Sequence, residues 1–250
     1  MGGGWLALDT ATDVMSVAAR RAEGPVSVAV QQGARRQAAE IVASIDRVLG
    51  QAGLAVSGLA GIVVTDGPGS FTGLRISWGA AKGIAHERGI PLYTVPSLLG
   101  AAFSAWAADG AERDASVAVC YDALRGQVFA AVYRFSPPAV AIVVAPAVTT
   151  VSQLAGAVTE RPRAAVGDGA RRYAADVSAW TGRPPLDAPG GPPLQPVAAA
   201  LLELAAWPGV VEQVADPATR EPTYGRPAEA QVTWEARHGR PLPDPTRRGR

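Results

Sequence analysis

Four stretches of this chain place carboxylates, hydroxyls or bare backbone directly after an apolar run. Asp9, Thr10 and Thr12 follow Leu6 to Leu8, and Gly67 to Thr72 follow Ile62 to Val64. Asp122 follows Val117 to Tyr121, and Gly167, Asp168 and Gly169 follow Ala164 to Val166. Strand ends that open into a glycine turn and a helix start are where α/β proteins place ligands, because unpaired amides there can meet an anion. Asp9, Thr10, Thr12, Gly67, Gly69, Asp122, Gly167 and Gly169 are therefore the candidate nucleotide-binding residues. Each aspartate has a structural alternative, since an Asp in a hairpin turn can equally close that turn through an Asx bond.

Other chemistries are missing from the sequence. The phosphate loop Gly-x-x-x-x-Gly-Lys-Ser/Thr does not occur, and the one lysine, Lys82, falls in the middle of an expected helix. His86 and His238 are the only histidines and lie far apart, which argues against a histidine-based metal centre. Ser70 lies between Pro68 and Thr72 rather than between the two glycines of a nucleophile elbow. No residue is assigned a catalytic or a metal-ligating role.

The elements that must position these groups follow from the apolar pattern. Leu6 to Asp9 reads as a strand, Thr10 to Asp13 as a turn and Val14 to Arg20 as the hairpin partner. The pattern recurs when Val117 to Tyr121 leads into Asp122, the turn 123–126 and an alternating strand from Gln127 to Tyr133. Two strand-Asp-turn-strand units imply a duplicated α/β lobe, the architectural signature of the actin-like, sugar-kinase-like ATPase (ASKHA) fold, in which each RNase H-like lobe holds a mixed sheet flanked by helices. The expected division is an N-terminal lobe over 1–108, a C-terminal lobe over 109–233 and a basic Pro/Arg-rich tail over 234–250, read as disordered.

Two helices are expected between the hairpins. The first, about Arg36 to Leu49, carries Ile41, Ile45, Val48 and Leu49 on one face with Val42 beside them. The second, from Thr72 to about Arg88 with Ser70 or Thr72 as its cap, contains Gly73, Ser77, Gly79, Ala80, Ala81 and Gly83. Interior glycines each cost a helix about 1 kcal/mol against alanine. They point to a close approach, either of the helix to its own sheet or of a helix from another subunit. Further on come a strand over Pro91 to Ser97, helices near Leu98 to Ala108 and Ala170 to Trp180, a proline-rich linker from Arg183 to Pro196 and a helix from Val197 to Trp207.

Composition sets the outer limits. With 250 residues, 48% of them hydrophobic, the chain can bury the cores of two modest lobes. A net charge of +1 does not mark it as a nucleic-acid or membrane binder, although Arg237, Arg240, Arg247, Arg248 and Arg250 concentrate positive charge after Trp234. No apolar run reaches the roughly 20 residues of a membrane span, no secretory leader is evident, and the single Cys120 fits a reduced, cytoplasmic protein.

The motifs Leu-Ala-Leu-Asp-Thr-Ala-Thr at 6–12, Gly-Pro-Gly-Ser-Phe-Thr-Gly-Leu-Arg at 67–75, Gly-Ile-Pro-Leu-Tyr-Thr-Val-Pro-Ser-Leu at 89–98, Asp-Ala-Leu-Arg-Gly-Gln-Val-Phe at 122–129 and Pro-Thr-Tyr-Gly-Arg at 222–226 resemble the TsaB (YeaZ) family of bacterial tRNA threonylcarbamoyladenosine (t6A) biosynthesis. The resemblance implies a scaffold rather than an enzyme by itself: the non-catalytic partner of TsaD, with the TsaE ATPase joining the complex and tRNA reached indirectly. It also implies that the turn aspartates face each other across a degenerate nucleotide site. No cofactor is then required by this chain alone, with ATP or ADP and magnesium at the partner interface, and a homodimer can form when the chain is alone. The first two helices would pack on the matching pair of TsaD as a four-helix bundle, with Ile41, Ile45, Ile76, Gly79, Ala80, Gly83 and Ile84 as candidate interface residues, the four isoleucines serving either that contact or the lobe's own core. Two positions depart from the family: Gln37 stands where many relatives have His, read as drift at an interface or surface, and Gly225 stands where Leu is expected. Two other readings remain beside the scaffold, a stand-alone actin-like ATP-dependent kinase or transferase and an RNA-binding module using the arginine-rich tail.

Overall fold

The computed structural model describes residues 3–22, 24–109, 114–225, 234 and 237–239. Most of the basic tail over 234–250 lies outside the described residues.

The first sheet grows from a three-stranded meander, β1 (Gly4–Asp9), β2 (Val14–Arg21) and β3 (Ser27–Gln32). Helix α1 (Gln37–Gln51) then crosses over to β4 (Leu59–Thr65), which pairs in parallel with β1, and α2 (Phe71–Arg88) crosses over to β5 (Leu92–Val95), parallel to β4. Helix α3 (Ser97–Ala108) leads to the second sheet, where β6 (Ala115–Asp122), β7 (Val128–Ser136) and β8 (Ala139–Thr149) repeat the meander. After α4 (Val151–Gly156), β9 (Ala164–Val166) pairs in parallel with β6, as β4 does with β1. The strand order 3-2-1-4-5 of the first sheet thus recurs as 8-7-6-9 in the second. This is the duplicated, two-lobed ASKHA fold, and the two Asp-bearing hairpins occupy equivalent places in it.

Helices α5 (Asp168–Arg172) and α6 (Ala174–Thr181) replace the single helix expected from Ala170 to Trp180; the chain breaks at Tyr173, whose ψ of 38° is not helical. Helix α7 (Val197–Leu204) and the short β10 (Glu212–Gln213) belong spatially to the first sheet. Strand β10 pairs with β5, and the Ala198 amide donates to Ser16 Oγ at 3.0 Å. The chain after the proline-rich linker therefore returns to the half of the molecule from which it started.

Three hydrophobic cores stack through the molecule, and strand alternation assigns residues to them. Leu6, Leu8, Ile62 and Val64 face α1 and α2 with Ile41, Ile45, Val48, Leu49 and Trp78. Ala7 and Val63 turn the other way, onto α3 and α7, which are themselves sandwiched against Val117, Val119 and Tyr121 of the second sheet. Ala118 and Cys120 point to the far side, against α4 and α6. Strands buried on both faces read as unbroken apolar runs, which is why β1, β4 and β6 are plain in the sequence. Strands β3 and β8, which drew no expectation, are the outer strands of their meanders, and long-range pairing rather than local pattern defines them.

Candidate functional site

The hairpin of β1 and β2 ends at Asp9, which is 2% exposed. Its Oδ1 accepts from Thr65 Oγ1 at 2.9 Å and from the Ala11 amide at 3.3 Å. Burial raises its pKa to about 6, the two hydrogen bonds pulling the other way without offsetting it. Asp9 therefore ties β1 to β4 and also closes its own turn. Asp122, the equivalent residue of the second hairpin, closes its turn through the Leu124 amide at 3.0 Å and pairs with Arg172 at 2.6 Å. Both aspartates thus take the Asx role, each with one further partner from a neighbouring element.

A cavity of about 390 Å³ opens between the two halves, lined in part by Asp9, Thr12, Tyr121, Gly167, Asp168, Arg171, Asp187 and Gln195. Of the candidate nucleotide-binding residues, Asp9, Thr12 and Gly167 reach its wall; Thr10, Gly67, Gly69, Asp122 and Gly169 do not. Thr10 instead donates from Oγ1 to the Gly73 carbonyl at 2.6 Å.

The glycine turns are filled by the chain itself. A Cβ at Gly67 would fall on the Thr223 carbonyl oxygen, one at Gly69 on that of Ala11, and one at Gly167 or Gly169 on that of Cys120. The Ser70 amide, at the start of α2, donates to the Ala11 carbonyl at 2.7 Å, and Ser70 Oγ caps the helix by accepting from Gly73 at 3.1 Å. Asp168 accepts from the Asp122 and Gly169 amides at 3.0 and 2.9 Å, and Asp187 pairs with Arg171. The amides that could cradle a phosphate are engaged within the chain, Ser70 N on the Ala11 carbonyl, Gly67 N on Ser97 Oγ, Gly167 N on Asp187 Oδ2 and Gly169 N on Asp168 Oδ1, while three carboxylates, Asp9, Asp168 and Asp187, line the cavity with one arginine, Arg171. Among the described residues no group of three or more His, Cys, Asp or Glu is placed to hold a metal ion.

The other candidate surface is the outer side of α1 and α2. The resemblance leaves Ile41 and Ile45 open between this face and the lobe's own core, and the structure places both in the core rather than on the face: they are 4% and 6% exposed, packed inward on the first sheet. Val42, expected beside the inner stripe, is 70% exposed and points away from the core. The correction has a simple cause, since a 100° step per residue carries position 42 off the stripe that positions 41, 45, 48 and 49 share. On α2, Gly79 and Gly83 are exposed, and a Cβ on either would meet nothing within 4 Å among the described residues. Ile76, Ala80 and Ile84 flank them, half-buried against the core. Of the seven residues expected at this face, five therefore lie on or beside it.

Gln37 is likewise corrected. At 1% exposure it is neither surface nor interface, and its Nε2 donates to the Thr12 carbonyl at 2.8 Å, pinning α1 to the first hairpin. Sequence reasoning missed the segment after β10, which runs beside α2 and places Thr223 and Tyr224 against the 67–75 motif. The signal was available in Pro-Thr-Tyr at 222–224, a motif far along the chain from the loop it closes.

Comparison with known proteins bears on this arrangement. The family described as "TsaD: tRNA N6-adenosine threonylcarbamoyltransferase" matches residues 28–178, more than half of the chain. The tRNA threonylcarbamoyladenosine biosynthesis protein TsaB of Escherichia coli is 34% identical over 129 residues, 52% of this chain and 54% of that protein. TsaB of Bacillus subtilis is 30% identical over 130 residues, 52% of this chain and 55% of that protein. The chain thus spans about half the length of the curated relatives it matches. The solved structure of YeaZ from Pseudomonas aeruginosa superimposes with a TM-score of 0.71 at 28% identity, covering 89% of this chain and 99% of that one. The chain therefore belongs to the family described as TsaD: tRNA N6-adenosine threonylcarbamoyltransferase, and it is similar in sequence and fold to the TsaB (YeaZ) proteins.

Proposed function

We propose that this chain is the scaffold subunit of the tRNA N6-adenosine threonylcarbamoyltransferase complex, supporting TsaD as it forms t6A at adenosine 37 of ANN-decoding tRNAs, without catalytic activity of its own. The observation that carries the reading is the open face of α1 and α2. Gly79 and Gly83 meet no packing need among the described residues, yet each weakens its helix by about 1 kcal/mol against alanine. Glycines kept at that cost with empty space before them fit the close approach of a helix from another molecule. Exposed Val42 on the adjoining helix supplies apolar area to the same face. The filled glycine turns and the ion-paired Asp122 support the absence of nucleotide chemistry within this chain.

In this reading TsaD is the direct partner, the TsaE ATPase joins the assembled complex, and tRNA is contacted through the complex rather than by this chain alone. The same face accounts for a homodimer when TsaD is absent. ATP or ADP with magnesium belongs at the partner interface, and no cofactor is needed by the isolated chain. The place of work is the cytoplasm; no helix among the described residues is long and apolar enough to cross a membrane.

Gly83→Leu tests the reading. The side chain enters open space, so thermal stability holds, while affinity for the organism's own TsaD falls by at least about tenfold. An unchanged dissociation constant would remove the face from the interface. The second reading, a stand-alone ATP-dependent kinase or transferase, draws on the cavity beside Asp9. It requires ATP turnover by the purified chain that Asp9→Ala and Asp122→Ala abolish.

A further inference from the structure

The segment from Val214 to Gly225 forms a strap beside α2. It starts where the Val214 amide donates to the Leu92 carbonyl at 2.8 Å, next to β10. Lys82 Nζ, on α2, then bonds the Ala218 carbonyl at 3.4 Å and pairs with Glu221 at 3.7 Å. Arg220 and Thr223 both grip Asp66, at 2.8 and 2.9 Å to Oδ2, and the Thr223 amide donates to the Asp66 carbonyl at 2.7 Å. Tyr224 then lays its ring on Phe71 with centroids 4.4 Å apart.

Arg75 is built into this arrangement although it is exposed. Its guanidinium carbon lies 4.3 Å over the Phe71 ring and 5.8 Å from the Tyr224 ring. Its Nε donates to Tyr224 Oη at 3.1 Å, and that hydroxyl in turn donates to Glu221 Oε2 at 3.0 Å. An exposed arginine ordinarily samples many rotamers, and ordering it on binding opposes association. Two aromatic faces and one hydrogen bond have already ordered this one. Among the described residues none hydrogen-bonds the Nη edge of the fork, and such an edge matches a carboxylate through two parallel hydrogen bonds. Arg75, Gly79 and Gly83 follow one another at four-residue steps, so they lie on one stripe of α2. A helix seated on the two glycines would run beside the guanidinium.

We propose that Arg75, held by Phe71 and Tyr224, is the charged anchor of the α1–α2 face and takes a carboxylate from the TsaD helix that seats on Gly79 and Gly83. The strap is then part of the interface, and the last residue of the 67–75 motif acts on the partner while its glycines act on the fold. The inference rests on the scaffold reading above. An acidic protein side chain, not a free anion, is the occupant, because the neighbouring open stripe is shaped for a helix backbone.

The test is titration calorimetry of the full chain with TsaD from the same organism, using wild type, Arg75→Ala, Arg75→Lys, Tyr224→Phe and Gly83→Leu, with melting temperatures recorded for each. Arg75→Ala is expected to weaken binding by about tenfold or more and to flatten its salt dependence. Arg75→Lys does not restore it, since lysine lacks the planar fork. Tyr224→Phe keeps the ring and loses the hydroxyl, and falls between wild type and Arg75→Ala. Melting temperatures of the Arg75 variants stay close to wild type. If Gly83→Leu abolishes binding and Arg75→Ala leaves it unchanged, the anchor is overturned and the scaffold reading stands. If neither variant changes the affinity, or wild type does not bind, both are overturned. If Arg75→Ala weakens binding and Gly83→Leu does not, the arginine serves a different interface and the proposal as stated is wrong.

Discussion

Glycines at the two ends of one stretch, 67–83, do opposite things. At the start of α2, Gly67, Gly69 and Gly73 are pressed against the carbonyl oxygens of Thr223, Ala11 and Thr10, so that the loop, the first hairpin and the strap lock together. Two turns along the helix, Gly79 and Gly83 face open space among the described residues. The same residue type therefore marks a contact already made and a contact still to be made. The paired hairpins differ in a related way: Asp9 is sealed inside and bound to Thr65, whereas Asp122, at the end of β6, is in an ion pair with a half-exposed Arg172.

The contrast can be broken most forcefully at the loop. Gly67 has φ of 105° and backbone directly in front of it, so Gly67→Ala is expected to cost more than about 3 kcal/mol in chemical denaturation. A loss below 1 kcal/mol would mean that the strap is not tightly seated.

Next in size is Asp9. Its folded-state pKa of about 6 exceeds the ordinary 3.8, so the folded chain binds this proton more tightly than the unfolded chain does. The ionised carboxylate therefore costs stability above about pH 6, and the cost disappears as pH falls from there toward 4. Asp9→Asn, which keeps an oxygen for Thr65 and Ala11, is expected to stabilise by up to about 3 kcal/mol at pH 7 and by nothing near pH 4. A pH-independent difference between the two proteins would contradict the burial argument. The exposed ends of the comparison give smaller effects. Gly83→Ala is expected to stabilise by about 1 kcal/mol, read as a higher denaturation midpoint. Asp122→Asn is expected to cost under about 1 kcal/mol, because Arg172 is 55% exposed at its side chain and such pairs are weak.

Much of this was legible from local pattern. Both Asp-bearing hairpins, the Ser70 cap, the inward stripe of α1 and the duplicated lobe follow from apolar alternation, turn residues and helical spacing. What was illegible depends on partners distant in the chain. Ile41 and Ile45 could not be told from interface residues until the sheet beneath them was in place. Gln37 looks like a surface residue until Thr12 is brought to it, 25 positions away in sequence. The glycine turns resemble ligand loops, and only the fold reveals that carbonyl oxygens of this same chain occupy them. The return of α7 and β10 to the first sheet likewise has no local signature, because a proline-rich linker can lead in any direction.

The central claim is that the outer face of α1 and α2 exists for another subunit. Size-exclusion chromatography with light scattering on this chain, alone and mixed with its own organism's TsaD, tests it most directly. The account predicts a co-eluting complex with wild type and separate peaks with Gly83→Leu, whose own elution and melting temperature match wild type. Separate peaks with the wild-type chain, in the presence of nucleotide and magnesium, would contradict it.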